Sequence, residues 1–137
     1  MYFSNIAATV KGKGIIGSVS FKKYLDGTWV TAKISGLPDG FFGFHLHEGS
    51  VCDESVGYAS AGGHYNPQNT SHPYHAGDFP VLLSSNGLAN MEFYTARITP
   101  EEAVGKTVII HSNPDDFRTD PAGNSGERIA CGIVRKN

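Results

Sequence analysis

Ile15-Ile16-Gly17-Ser18-Val19-Ser20-Phe21 is the stretch that decides the fold. β-Branched and aromatic residues alternate there, in part, with small polar ones. An extended chain turns successive side chains to opposite faces, so this partial period of two is the mark of a half-buried strand. Working outward, Ile6 to Val10 and Trp29 to Ile34 are similar stretches, set off by the turn signals Lys11-Gly12-Lys13-Gly14 and Asp26-Gly27. Pro38-Asp39-Gly40 introduces a fourth strand, Phe41 to His47. Val81 to Leu83 and Leu88 to Thr95 are expected to pair around Asn86-Gly87, a strong hairpin signal. Thr99-Pro100-Glu101-Glu102 offers an N-cap, a proline at the first helical position and acidic first-turn residues, so one short helix is expected there. Lys106 to His111 and Ile129 to Val134 complete the strands. Residues 49 to 80 and 112 to 127 are polar loops, and a loop as long as the first is usually functional. The expectation is an all-β chain of about eight antiparallel strands, a sandwich or flattened barrel with two long functional loops.

Composition narrows the function classes. The 137 residues suit a single domain with a real core, and residues 1–137 are read as one. Seventeen glycines and seven prolines imply many turns and few helices. A formal charge of −2 gives no footprint for nucleic acid or an anionic membrane. No apolar run approaches the roughly 20 residues of a membrane helix. Met1-Tyr2-Phe3-Ser4-Asn5 lacks a basic stretch followed by a long apolar one, so no signal peptide is visible. A cytoplasmic location is therefore expected, with a periplasmic or secreted protein as the alternative if a leader precedes Met1. Cys52 and Cys131 lie far apart. Two unrelated buried thiols, or one long-range disulfide, both remain open; a reducing cytosol favours the former.

The histidines carry the chemistry. All six fall into one pattern: His45-Leu46-His47, His64, then His72-Pro73-Tyr74-His75-Ala76-Gly77-Asp78, then His111. Neutral imidazole is the commonest protein ligand for transition metals. Two histidines two residues apart on a strand share a face, so His45 and His47 can reach one metal. His72, His75 and Asp78 suit zinc, which needs a fourth ligand; His64 can supply it through one nitrogen and face the His45/His47 pair through the other. His111 would complete four nitrogens, a set that favours Cu(II) over zinc. Six histidines and one aspartate are one group short of two four-ligand sites unless one is shared. A binuclear metalloenzyme is the expectation.

Four segments then amount to a resemblance. Gly43-Phe44-His45-Leu46-His47-Glu48, Ala61-Gly62-Gly63-His64-Tyr65-Asn66-Pro67, His75-Ala76-Gly77-Asp78 and Gly123-Asn124-Ser125-Gly126-Glu127-Arg128-Ile129-Ala130-Cys131-Gly132 resemble the copper–zinc superoxide dismutases, in order and over nearly the whole chain, with the bacterial branch the closer match. That family is itself a standard example of the immunoglobulin-like Greek-key sandwich. The resemblance implies copper on His45, His47, His64 and His111, and zinc on His64, His72, His75 and Asp78, with His64 as the bridging imidazolate. It implies that Asp115 joins a copper histidine to a zinc histidine, that Arg128 guides the superoxide anion, and that Cys52 and Cys131 form a disulfide pinning the loop beside that arginine. Turnover would alternate reduction and reoxidation of copper, with Arg128 and His64 as the catalytic residues and His64 handling a proton. Superoxide would be the substrate. The resemblance admits a homodimer without revealing an interface.

The chain departs from better-known members in two places. Only Pro73 and Tyr74 separate His72 from His75, so zinc affinity or geometry is where deviation is expected. The loop Phe117 to Glu127 is short, and Arg118 is its only basic residue, so steering would rest on Arg128 and Arg118. A metal buffer that had lost turnover would lack His64, His111 or Arg128, and a structural module would lack His72, His75 or Asp78; all are present.

Overall fold

The computed structural model describes residues 5–137. Met1-Tyr2-Phe3-Ser4, on which the reading of the N-terminus partly rests, lie outside them. The strands are β1 (Ile6–Gly12), β2 (Ile15–Tyr24), β3 (Gly27–Ser35), β4 (Gly40–Phe42), β5 (Phe44–His47), β6 (Leu82–Ser84), β7 (Leu88–Thr95), β8 (Thr107–His111) and β9 (Arg128–Lys136), with one helix, α1 (Pro100–Ala103). A seven-stranded antiparallel sheet runs β5-β8-β9-β1-β2-β3-β7, and β4 and β6 form a separate two-stranded ladder.

The period of two resolves cleanly. In β2, Ile15, Val19 and Phe21 are buried, whereas Ile16, out of phase, is exposed. In β3, Thr28, Val30, Ala32 and Ile34 point inward. Tight turns at Lys13-Gly14 and Leu25-Asp26 set the β1–β2 and β2–β3 registers, which run through Gly12↔Ile15 and Tyr24↔Gly27.

Two expectations need correction. The fourth strand is broken at Gly43 into β4 and β5, so that nine strands stand where eight were read. At Gly43 the chain changes partner: β4 pairs with β6 and β5 with β8. A side chain there would collide with Ser125 Oγ, 2.6 Å from the added carbon. The Asn86-Gly87 turn forms as expected, closed by reciprocal backbone bonds between Ser85 and Leu88. Its arms do not continue as a ladder, because β6 turns to β4 while β7 pairs with β3 along its whole length. The result is functional closure. Gly43 joins the ladder to the β5 edge of the sheet and the Ser85–Leu88 turn joins it to the β7 edge, giving a flattened barrel with Greek-key crossings from β3 to β4 and from β7 to β8.

The core fills the space between. Phe21, Ile34, Leu37, Phe44, Leu46, Phe79, Leu82, Ile98 and Ile110 are all essentially buried. Phe79 packs between Phe44 and Phe93, with ring centroids 5.2 Å and 5.1 Å away. Helix α1 carries the expected capping box, with Thr99 and Glu102 bonded reciprocally. The 49–80 region has no strand before the barrel resumes, but it holds two single-turn 3-10 helices, Glu54–Val56 and Ala59–Ala61, that no sequence signal announced. Cys52 and Cys131 are bonded, tying that region to β9 across 79 residues of sequence. In the loop-entropy account a link of that span stabilises by on the order of 4 kcal/mol.

Candidate metal centre

All four residues of β5 are buried, but on two different faces. Phe44 and Leu46 enter the core. His45 and His47 point the other way, toward the 62–78 segment. That segment docks along the edge of β5 not used by β8. Leu46 donates its amide to Gly77 O (2.9 Å) and accepts from Tyr65 N (2.8 Å), while Glu48 N donates to Gly63 O (2.8 Å). The chain thereby brings His64 opposite His47 and Asp78 opposite His45. Gly77 is needed for the approach, because a Cβ there would run into the Leu46 carbonyl. Phe79, plugged into the core, anchors the end of the segment immediately after Asp78.

Two four-membered groups of ligand atoms result among the described residues, each within 4.8 Å: His45, His47, His64 and His111, and His64, His72, His75 and Asp78. His64 belongs to both. Its Nδ1 lies 2.7 Å from Asp78 Oδ1 and 3.2 Å from His75 Nδ1. Its Nε2 is buried with no hydrogen-bond partner, and its ring lies 4.0 Å from the His45 ring and 4.8 Å from that of His47. One imidazole thus presents a nitrogen to each group. Asp78 Oδ2 lies 3.1 Å from both His72 Nδ1 and His75 Nδ1.

Asp115 ties the groups together from behind. His45 Nε2 donates to its Oδ2 (2.7 Å), His72 Nε2 to its Oδ1 (2.8 Å), and the Phe117 amide also reaches Oδ1 (2.7 Å). These bonds set the tautomers and leave His45 Nδ1 and His72 Nδ1 facing inward, buried and without hydrogen bonds. A Cβ on Gly123 would overlap the Asp115 carboxylate, so only glycine fits there. His47 donates from Nδ1 to Gly62 O (2.8 Å), which turns its Nε2 to within 3.3 Å of His111 Nε2. Bare buried nitrogens cost roughly 1–3 kcal/mol each when nothing satisfies them. Their convergence, and two imidazole nitrogens meeting edge on, are what a cation would relieve. Four imidazoles suit Cu(II), and three imidazoles with a carboxylate suit tetrahedral zinc, so the residues fit both ions.

Electrostatics agree with that reading of the donors. Burial holds the imidazole of His45 down at about 4 and that of His111 at about 3, and it drives His47 well below the ordinary histidine range. All three are neutral, with lone pairs free, at pH 7. Burial pushes the carboxyls of Asp78 and Asp115 upward, but hydrogen bonds from His64 to the one, and from His45 and His72 to the other, outweigh it and hold both below the usual carboxylate range.

Arg128 begins β9 directly across from His111 on β8. Its Nη1 donates to Tyr58 O at 2.9 Å, and among the described residues no carboxylate pairs with it. Tyr58 packs with Ala61, Ile109 and Cys131, next to the disulfide. A cavity of about 340 Å³ opens between Arg128, His47, His64 and His111. Arg118 is exposed and is not among the residues lining it. The structure therefore gathers every expected ligand, with Asp115 behind and Arg128 at the mouth, and leaves Arg118 aside. Sequence reading passed over Gly77 and Gly123, whose signal was a glycine inside or beside a ligand motif. It also passed over Asp120, whose Oδ1 accepts the His72 amide at 2.7 Å, and Arg97, neither of which had any signal.

Fold and site together define a β-barrel protein with two adjoining ligand clusters that share one histidine. Residues 15–134 match the family Copper/zinc superoxide dismutase (SODC). The chain belongs to that family. It is 40% identical over 128 residues to Superoxide dismutase [Cu-Zn] of Legionella pneumophila, covering 88% of this chain and 78% of that protein. It is 35% identical over 146 residues to Superoxide dismutase [Cu-Zn] 3 of Arabidopsis thaliana, covering 94% and 88%. Among solved structures it resembles the clock protein EA4, with a TM-score of 0.85, 30% identity and coverage of 100% and 98%.

The expected cytoplasmic location does not stand. The Cys52–Cys131 bond is formed, and structural disulfides persist in oxidising compartments, whereas cytosolic thiol systems keep cysteines reduced.

Proposed function

We propose that this chain converts superoxide to dioxygen and hydrogen peroxide, with copper held by His45, His47, His64 and His111 and zinc by His64, His72, His75 and Asp78. The observation that carries the assignment is the single ring of His64, with one nitrogen in each cluster. Membership of the family and the names of the Legionella and Deinococcus radiodurans relatives support the reaction. The 40% identity to the Legionella protein supports a bacterial type.

When bound, copper supplies one-electron oxidation and reduction, and zinc supplies a fixed charge that sets the basicity of His64. The chain does the rest. Arg128 places a cation without a carboxylate partner at the mouth of the cavity, where it attracts and orients a small anion despite a net charge of −2. Focusing of this kind raises on-rates by roughly 10 to 1000-fold and weakens with salt. His64 holds or releases a proton at Nε2, steadied by Asp78 and His75 at Nδ1. Asp115 keeps His45 and His72 in the tautomers that face inward. The Cys52–Cys131 bond holds the segment that carries Tyr58, and the Tyr58 carbonyl holds Arg128.

Metal content and superoxide turnover measured on one copper- and zinc-reconstituted sample test the proposal. One copper and one zinc per chain with fast turnover is the expected result; metals bound without turnover would turn the reading to storage or transfer. Arg128→Ala is expected to lower the rate roughly ten-fold and flatten its salt dependence while the copper spectrum stays put. An unaltered rate would remove Arg128 from the mechanism.

A further inference from the structure

Only Pro73 and Tyr74 separate His72 from His75, yet both rings converge on Asp78. Local bonds and groups distant in sequence both hold its backbone. Arg97 lies just beyond β7, and its Nη1 donates to Pro73 O (2.8 Å) and to His75 O (3.1 Å). These carbonyls flank Tyr74, whose ring centroid is 6.0 Å from the Arg97 guanidinium carbon. On the other side, the Asp120 carboxylate takes the His72 amide. From the residues just before His72, Ser71 O accepts from Tyr74 N and Thr70 Oγ1 donates to Tyr74 O.

Arg97 is itself rooted in the barrel. Its neighbour Ile98 is buried in the core, and the Ile98 carbonyl accepts from the buried hydroxyl of Thr28 on β3 (2.8 Å). A path of packed and hydrogen-bonded groups therefore runs from the rigid sheet through Arg97 to the loop. The two Arg97 hydrogen bonds go to main-chain carbonyls and not to a ligand side chain. Both bonds leave from one terminal nitrogen, whose two N–H groups lie fixed in the guanidinium plane, whereas an ammonium rotates freely about its stem.

We propose that Arg97 is a positioning residue for the His64, His72, His75 and Asp78 cluster, clamping the backbone on both sides of Tyr74 so that His72 and His75 meet one ion. The inference rests on the zinc assignment above and extends it to a residue that touches no metal. Groups that orient ligands in this indirect way typically change metal affinity by about 10 to 100-fold when removed.

The test uses the full chain loaded with copper and zinc. Zinc release is followed with an excess of a chromogenic chelator, copper retention by its visible absorption, and the geometry of the zinc position by the d–d spectrum of Co(II) put in place of zinc. Arg97→Met is expected to speed zinc release about ten-fold and to alter the Co(II) spectrum, with copper retained as in the unaltered chain. Arg97→Lys is expected to fall between the two. Zinc release at the unaltered rate, or parallel loss of both metals, overturns the proposal. Should Arg97→Met not fold, Arg97→Gln, too short to span both carbonyls, takes the same measurements with the same outcomes. An unaltered chain that takes up no zinc would overturn the zinc assignment and the clamp together; an unaltered chain that holds zinc as tightly as Arg97→Met does would overturn the clamp alone.

Discussion

The two halves of the centre are built by different means. His45, His47 and His111 stand on β5 and β8, paired strands whose opposite faces are packed into the core. His72, His75 and Asp78 stand on a loop without regular structure, held by contacts reaching in from elsewhere: Arg97, Asp120, the Gly77–Leu46 backbone bond and the Phe79 plug. His64 sits at the seam. Sheet pairing fixes the backbone of the strand-borne ligands, and the loops add only the bonds from Asp115 and Gly62 that turn the His45 and His47 rings. Loop-borne ligands depend on many separate tethers, each removable by itself. The half expected to hold the redox metal is thus the rigid one, and the supporting half is open to adjustment by single residues.

The largest effect expected to probe this contrast is that of pH on the metal-free chain. His45 and His111 titrate near 4 and 3 when folded, against 6.5 for an unburied histidine, because burial disfavours their charged forms. Below pH 6.5 the unfolded chain takes up protons that the folded strands refuse. Stability is therefore full above about 6.5 and is lost as pH falls toward those folded values. Between pH 7 and pH 5 the two rings together cost on the order of 4 kcal/mol. Denaturant midpoints at the two pH values measure it; equal midpoints would mean that the strand-borne rings are not held in a dry, rigid setting.

Leu46→Ala attacks the strand half from the core side. Leu46 is wholly buried beneath the two histidines, so the truncation is expected to cost about 3 kcal/mol and to loosen copper more than zinc. Calorimetry with metal analysis tests it, and preferential loss of zinc would reverse the assigned rigidity of the two halves. Smaller is the expected effect of Asp115→Ala, which cuts the one carboxylate bonded to a ring from each half. Both metals should weaken together, each by roughly 10 to 100-fold, equivalent to about 2 kcal/mol. Chelator competition for each metal reads this directly. If only one metal weakens, Asp115 serves a single site and the halves are less coupled than the geometry indicates.

Much of this was legible in the residues. Alternation in Ile15 to Phe21 and Trp29 to Ile34 reports which face meets a core, because strand geometry couples position to face locally. The capping box at Thr99 and the turn at Asn86-Gly87 are local chemistry as well, and both form. The partners of β6 and β7 were not legible. The turn joins them, but the fate of its arms depends on β4 and β3, which lie far away in sequence. Gly43 gave no warning that it would divide a strand, since its reason is the approach of Ser125.

The same division holds at the site. His45-x-His47, His72-x-x-His75-x-x-Asp78, His64 and His111 give by residue type and spacing the expectation of two metal sites with one shared ligand, because ligand chemistry belongs to the side chain itself. Which nitrogen each ring turns inward, why His72 and His75 converge across so short a link, and where Arg128 stands relative to His111 are decided only in three dimensions. Those answers come from Asp115, Gly62, Arg97, Asp120 and the β8–β9 ladder, groups distant in sequence whose contribution is a direction and a distance. Directions and distances of that kind exist only once the barrel has closed.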